Sequence, residues 1–185
     1  MRFALPGPSV PPPWPSATIS TMQELADEKG MAEAVDRLAQ RIADVVPGPE
    51  RAIVGIRRRG DLLAERLADR LSWSRVGAID VTLYRDDLSE LDHQPVVRTT
   101  EIDFSIDRLD VVLVDDVLMT GRSVRAALQS LMDLGRPRRI FLAALVDRGG
   151  REQPIQPDFV GFEPETPLDF KEHVEVQLTP TDPRD

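Results

Sequence analysis

Val111 to Leu128 reads VVLVDDVLMTGRSVRAAL, and this stretch decides the fold. Four consecutive aliphatics, Val111 to Val114, suit a strand buried on both faces of a parallel sheet, because a half-exposed strand would alternate. From Arg122 onward the apolar residues return at helical spacing. Between strand and helix lie two adjacent acids, Asp115 and Asp116, followed by Thr120, Gly121, Arg122 and Ser123. Small residues at a helix start let backbone N–H groups converge on an anion, hydroxyls add donors, and the helix dipole favours negative charge. Two carboxylates directly before such a cradle would repel a phosphate unless they served sugar hydroxyls or a hydrated Mg²⁺. The expected ligand is a phosphorylated sugar; the plainer alternative is an ordinary strand-to-helix turn with an acidic cap.

With 185 residues, 41% of them hydrophobic, the chain has room for one domain with a sizeable core. A net charge of -9 disfavours nonspecific attraction to nucleic acid or anionic membranes. The absence of cysteine excludes disulfides, thiolate nucleophiles and cysteine-based zinc sites, and two histidines are too few for a histidine-rich metal centre. No apolar run approaches the roughly 20 residues that span a bilayer. The expected location is the cytoplasm.

Residues 1–20 are rich in proline and read as a disordered tail, residues 21–180 as one domain, and residues 181–185 as a frayed end. Met31 to Val46 repeats its apolar residues at three- and four-residue intervals, which predicts an amphipathic helix, with further turns upstream and a break at Gly30. Ala52 to Ile56 is a short aliphatic strand, followed by Arg57, Arg58, Arg59 and Gly60 and a helix from Asp61 to about Leu71. Three arginines in that loop suit a pyrophosphate, or form a solvated basic turn. Val76 to Leu83 reads as a strand leading into a polar excursion as far as Thr100. That excursion is either a flexible surface hairpin or, the preferred reading, a lid from which Arg85 or Arg98 could reach a departing pyrophosphate. Ile140 to Val146 and Asp158 to Gly161 read as further strands, and Val174, Val176 and Leu178 alternate as a final edge strand. The loop from Asp147 to Arg151 belongs to the crevice at the carboxyl ends of the strands.

The segments VGIRRRG at Val54 to Gly60, IDVTLYRDDLS at Ile79 to Ser89, the central stretch, LGRPRRI at Leu134 to Ile140 and LVDRGGREQPIQPDFVG at Leu145 to Gly161 resemble one family closely. It is the PyrR family, pyrimidine operon attenuators that are also uracil phosphoribosyltransferases. The resemblance implies the type I phosphoribosyltransferase fold: an α/β, mostly parallel twisted sheet flanked by helices, with a small hood. It implies conversion of uracil and phosphoribosyl pyrophosphate (PRPP) to UMP and pyrophosphate, with Mg²⁺ arriving on PRPP rather than in a protein cage. Asp115 and Asp116 would hold the ribose hydroxyls, and Thr120, Gly121, Arg122 and Ser123 the 5′-phosphate. Arg57, Arg58, Arg59 and Arg98 would meet the pyrophosphate. Arg148, Phe159 and Val160 would frame the base, and Arg85 would stand at the root of the lid, grouped with the two acids as catalytic. The family's second partner is pyrimidine operon leader mRNA, for which Arg37 and Arg151 are the matching residues, and its members form homodimers or larger assemblies.

The chain departs from the family pattern on the RNA side. Asp36, Arg37, Leu38, Ala39 and Gln40 replace a Thr-Arg-Ile-Ala-His run; Gly150 replaces a histidine and Phe162 a lysine. Fewer cationic partners and one added acid predict weaker RNA binding. FEPETP, beginning at Phe162, also differs from the family's segment beside the base. The alternatives are therefore a PRPP- or UMP-sensing regulator with little catalysis, or a phosphoribosyltransferase for another base.

Overall fold

A computed structural model describes residues 26–81, 100–164 and 174–178. Among the described residues five strands form one sheet in the order β2-β1-β3-β4-β5 with parallel pairing between neighbours, and an isolated antiparallel bridge joins Ala78 to Glu101. The elements run α1 (Glu28–Val45), β1 (Arg51–Ile56), α2 (Gly60–Leu71), β2 (Val76–Ile79), β3 (Asp110–Leu118), α3 (Arg122–Leu134), β4 (Arg139–Asp147) and β5 (Phe159–Phe162). The expected helices and the strands β1, β4 and β5 are present close to their anticipated ends, but β3 runs on through the acid pair to Leu118, and β2 ends at Ile79 rather than at Leu83.

β3 is buried on both faces, as its aliphatic run requires. Val112 and Val114 point into a core shared with α1 and α2, containing Leu38, Ile42, Leu63 and Leu67. Val111 and Leu113 point into a second core with Val124, Ala127 and Leu131 of α3. The helix after β1 therefore covers one face of the sheet and the helix after β3 covers the other. The chain order reverses between these neighbouring strands, so their carboxyl-terminal loops part and leave a crevice.

Glycine makes the close packing here possible. A Cβ on Gly55 would lie 2.2 Å from Gly60 O and 2.4 Å from Asp61 Cα, and one on Gly60 would lie 2.7 Å from Val114 O. The start of α2 thus rests directly on the backbones of β1 and β3, with no side chain between.

Two expectations are corrected. Gly30 does not break α1: the helix runs through it, and its N–H donates to the N-cap carboxylate of Asp27 at 2.8 Å. Residues 174–178 form no strand; Val176 and Leu178 are buried, but their alternation reflects side chains set into the core rather than a hydrogen-bonded ladder. The proline-rich tail, the lid segment with Arg85 and Arg98, the frayed end and most of the hood lie outside the described residues.

Candidate active site

Two loops meet at the crevice, and each opens a helix with an unusual start. Arg59, the N-cap of α2, has φ +68°, and Gly121, the N-cap of α3, has φ +86°; neither makes a side-chain cap bond. The start of α1, by contrast, is closed by Asp27. In their first turns the Leu62 N–H donates to Asp61 Oδ1 and the Arg122 N–H to Thr120 Oγ1, and N–H groups of a helix start that lack such a partner are the physical basis of anion binding there.

The loop after β3 lines a cavity of about 220 Å³ with Asp115, Met119, Thr120, Gly121, Arg122 and Ser123 among its walls. Thr120 Oγ1 accepts from the Arg122 N–H at 3.3 Å, so its hydroxyl stands at the loop's rim. Asp115 is buried at 7% exposure, and its Oδ1 accepts from the Asp116 N–H at 3.2 Å. Burial pushes the Asp116 carboxyl above the ordinary carboxylate range, against the pull of backbone N–H bonds and the Arg59 charge. A desolvated carboxylate so placed gains most by accepting hydroxyl protons or by meeting a cation.

The loop after β1 divides its three arginines. Arg58 is exposed; Arg59 faces the crevice, close enough to act on Asp116, and pairs with Glu175 at 3.1 Å. Arg57, joined to Arg58 by a cis peptide, turns away. Its side chain is 13% exposed, pairs with Glu101 at 2.6 Å and lies 3.6 Å from Asp61. It lines a separate hollow of about 680 Å³ with Asp61, Trp73, Gly77 and Glu101, which contains no residue of the β3–α3 loop. The expectation that all three arginines meet one anion is thus corrected: Arg57 is already committed to two carboxylates.

The base-side expectations also separate. Arg148, 6% exposed, lies at the end of β4 with its N–H donating to Leu118 O at 3.0 Å, beside the crevice. Val160 is half-buried on the edge strand. Phe159 is 2% exposed and packs with Phe141 in the core, ring centroids 6.0 Å apart, so it supports the sheet and does not face a ligand. Its strand alternation points it inward when Val160 points out.

On the surface assigned to RNA, Arg37 is exposed and donates to Gly161 O at 3.3 Å, while Arg41 donates to Val160 O at 3.2 Å. The two helix-α1 arginines cover carbonyls of the edge strand β5. Arg151 is different: its guanidinium is turned inward to carbonyls of the β3–α3 loop and to Asp147, leaving the side chain 14% exposed. Little of the Arg151 side chain is therefore presented at the surface.

Sequence reasoning missed the support of the loop. Glu152 and Gln153 both donate backbone N–H bonds to Thr120 O at 3.0 Å, and Glu152 pairs with Arg122 at 2.7 Å. No pattern in the sequence announces these contacts, because they join segments about 30 residues apart. The tight contacts of Gly55 and Gly60 did have a signal, in two glycines bracketing the arginine triplet.

Comparison with known proteins agrees with this geometry. The Phosphoribosyl transferase domain family matches residues 21–181. Solved structures of similar fold include a hypoxanthine-guanine phosphoribosyltransferase from Bacillus anthracis, with a TM-score of 0.65, 18% identity, and 80% of this chain and 86% of that chain covered. A purine phosphoribosyltransferase from Pyrococcus horikoshii aligns with a TM-score of 0.58 at 23% identity, covering 82% of this chain and 96% of that one. At such identities the likeness speaks for the fold alone. Proteins named Bifunctional protein PyrR are much nearer. The one from Pelotomaculum thermopropionicum is 50% identical over 86% of this chain and 90% of its own length. The one from Deinococcus deserti is 49% identical over 91% of each. With identity of that order running across nearly the whole of both chains, this chain belongs to the PyrR family of phosphoribosyl transferase domain proteins.

Proposed function

We propose that the protein transfers the phosphoribosyl group of PRPP to uracil, releasing pyrophosphate and forming UMP, and serves in attenuation of the pyrimidine operon as a UMP-dependent RNA-binding protein. One observation carries the enzymatic reading: an acid pair, an anion cradle and a basic loop converge where β1 and β3 part. Membership of the PyrR family carries the choice of uracil and the regulatory role.

In the reaction a uracil nitrogen bonds to the anomeric carbon as the bond from that carbon to pyrophosphate breaks; positive charge develops on the ribose, and the proton on that nitrogen is released to the pyrophosphate or to water. Asp115 and Asp116 accept hydrogen bonds from the ribose hydroxyls and hold the ring for attack. Backbone N–H groups of Thr120, Gly121 and Ser123, with the two hydroxyls, hold the 5′-phosphate. Arg58 and Arg59 take up charge on the leaving pyrophosphate, and Arg148 lies on the base side. Phosphoribosyltransferases generally use Mg²⁺ with PRPP, and the hard oxygen donors of Asp115 and Asp116 suit it. Asp115 and Asp116 would supply part of a shell completed by PRPP. There the ion would offset charge on the leaving group. Among the described residues no helix is long and apolar enough to cross a membrane.

The test is conversion of labelled uracil to UMP with PRPP and Mg²⁺, run beside Asp116→Asn. Turnover abolished by the substitution supports the reading; hypoxanthine or orotate consumed in place of uracil refutes the base assignment. For the regulatory role, Asp36 on the exposed face of α1 is engaged with Arg70, and Gln40 with Asp44. Affinity for a pyrimidine operon leader RNA should therefore be lower than in a relative with the Thr-Arg-Ile-Ala-His run. A gel shift with UMP present measures it, and equal affinity would refute the effect of these substitutions.

A further inference from the structure

Three successive peptide carbonyls at the entrance to the cradle are fastened by the chain that follows β4. Leu118 O accepts from the Arg148 N–H at 3.0 Å and from Arg151 Nη1 at 3.3 Å. Met119 O accepts from Arg151 Nη1 at 2.9 Å. Thr120 O accepts from the N–H groups of Glu152 and Gln153, both at 3.0 Å. In a trans peptide unit the C=O and N–H point in opposite directions. Holding the carbonyls of residues 118, 119 and 120 toward the 147–155 loop therefore turns the N–H groups of Met119, Thr120 and Gly121 the other way. The cavity lined by Asp115 and Thr120 to Val124 has no residue of the 147–155 loop in its wall, so it lies on that other side.

Arg151 is built to hold this arrangement. Nη2 donates to Asp147 Oδ2 at 2.7 Å and Nε to Ile155 O at 2.9 Å, which fixes the plane of the guanidinium. Gly121 sits against the same loop so closely that a Cβ would lie 3.2 Å from Gln153 Cβ. The fork geometry matters: one ammonium on a flexible stem does not span four acceptors on different segments.

We infer that Arg151 is a positioning residue of the 5′-phosphate site: through Leu118 O and Met119 O it sets the direction of the Met119 and Thr120 N–H groups, and with them the entrance to the loop that receives the phosphate of PRPP and of UMP. This rests on the PRPP reading above and assigns Arg151 to substrate binding rather than to RNA contact. Arg151 acts through the loop and touches no ligand.

The experiment compares the full chain with Arg151→Gln and Arg151→Lys by titration calorimetry with PRPP, UMP and inorganic pyrophosphate, together with steady-state kinetics. Loss of charge-assisted hydrogen bonds predicts about tenfold weaker binding of PRPP and UMP in Arg151→Gln, seen as a rise in KM for PRPP larger than any fall in kcat. Arg151→Lys should recover part of that loss. Pyrophosphate, which meets Arg58 and Arg59, should bind within about twofold of the unmutated protein, because its donors are not held by Arg151. Unchanged PRPP and UMP affinity overturns the inference, and so does an equal loss for pyrophosphate, which would mean general loosening. If Arg151→Gln does not fold, the same comparison is made on Arg151→Lys; failure of both to fold makes Arg151 a residue of the fold alone and also overturns it. An unmutated protein that neither binds nor turns over PRPP refutes the functional reading itself, before any variant is measured.

Discussion

Replacing Gly55 by alanine should damage the pyrophosphate side of the site without touching a ligand-binding residue. The added Cβ would lie 2.2 Å from Gly60 O, 2.4 Å from Asp61 Cα and 2.5 Å from Asp61 N, where ordinary contact begins at 3.4 Å. All three neighbours are backbone, so no side chain can rotate aside, and the start of α2 must retreat from β1 by about 1.2 Å. Gly60 rests on Val114 O, one residue before Asp115, and Arg58 and Arg59 immediately precede it, so the retreat carries the basic loop away from the acid pair. Overpacking of this kind costs about 1–3 kcal/mol. For a chain of this size that lowers Tm by about 2–4 °C per kcal/mol. A shift of about 1 Å in groups that meet the leaving pyrophosphate can cost on the order of 100-fold in kcat/KM. Differential scanning fluorimetry reads the first effect and initial rates at varied PRPP read the second. A Gly55→Ala protein with Tm within about 1 °C of the parent and an unchanged kcat/KM would refute the argument, since α2 would then have slack that the close approach denies.

Other outcomes follow from single side chains. The Asp116 carboxyl, raised by burial, should titrate above the ordinary value of 3.8 in the ligand-free protein, and Arg59→Gln should raise it further by removing a stabilising positive charge; NMR of the labelled carboxyl measures both, and a midpoint at or below 3.8 refutes the burial argument. Asp110, wholly buried at the start of β3, receives Arg138 at 2.8 and 2.7 Å and Arg139 at 3.2 and 2.6 Å, and these two guanidinium groups hold its carboxyl well below the usual range. A depressed pKa contributes stability that is present above the unfolded value near 4 and fades as pH falls below it. The urea midpoint of the parent should therefore fall more between pH 7 and pH 3 than that of Asp110→Asn, and parallel losses would refute it. Phe159→Leu should cost about 1 kcal/mol of stability and leave KM for uracil unchanged, because the ring lies in the core; a selective rise in that KM would return Phe159 to the base site.

The central strand, loop and helix were legible in the sequence because each step there is a local signal. A run of aliphatics reads as a buried parallel strand, Thr-Gly after an acid pair reads as a cradle, and the helical period returns within one turn. Asp115 and Thr120 to Ser123 line one cavity, and the charge of Arg59 reaches Asp116. The errors came where several equivalent residues compete. Three consecutive arginines look alike in sequence, yet the backbone sends Arg57 to Glu101 and Asp61 while leaving Arg58 exposed. Val174, Val176 and Leu178 alternate as a strand would, but burial of alternate side chains needs only a core beneath them, not a partner strand beside them.

By itself, then, the sequence determined which residues could serve a phosphorylated sugar, because their chemistry and their place after a buried strand are properties of neighbours in the chain. The tertiary structure alone decided which of them lie together. Reversal of strand order between β1 and β3 opens the crevice, glycine contacts bring two helix starts to its edge, and the loop after β4 reaches back to hold the cradle. Arg151 shows the difference most plainly. Its guanidinium is the same group whether it meets RNA at a surface or backbone carbonyls within a fold, and only the position of Leu118 O and Met119 O, more than 30 residues away, selects between them.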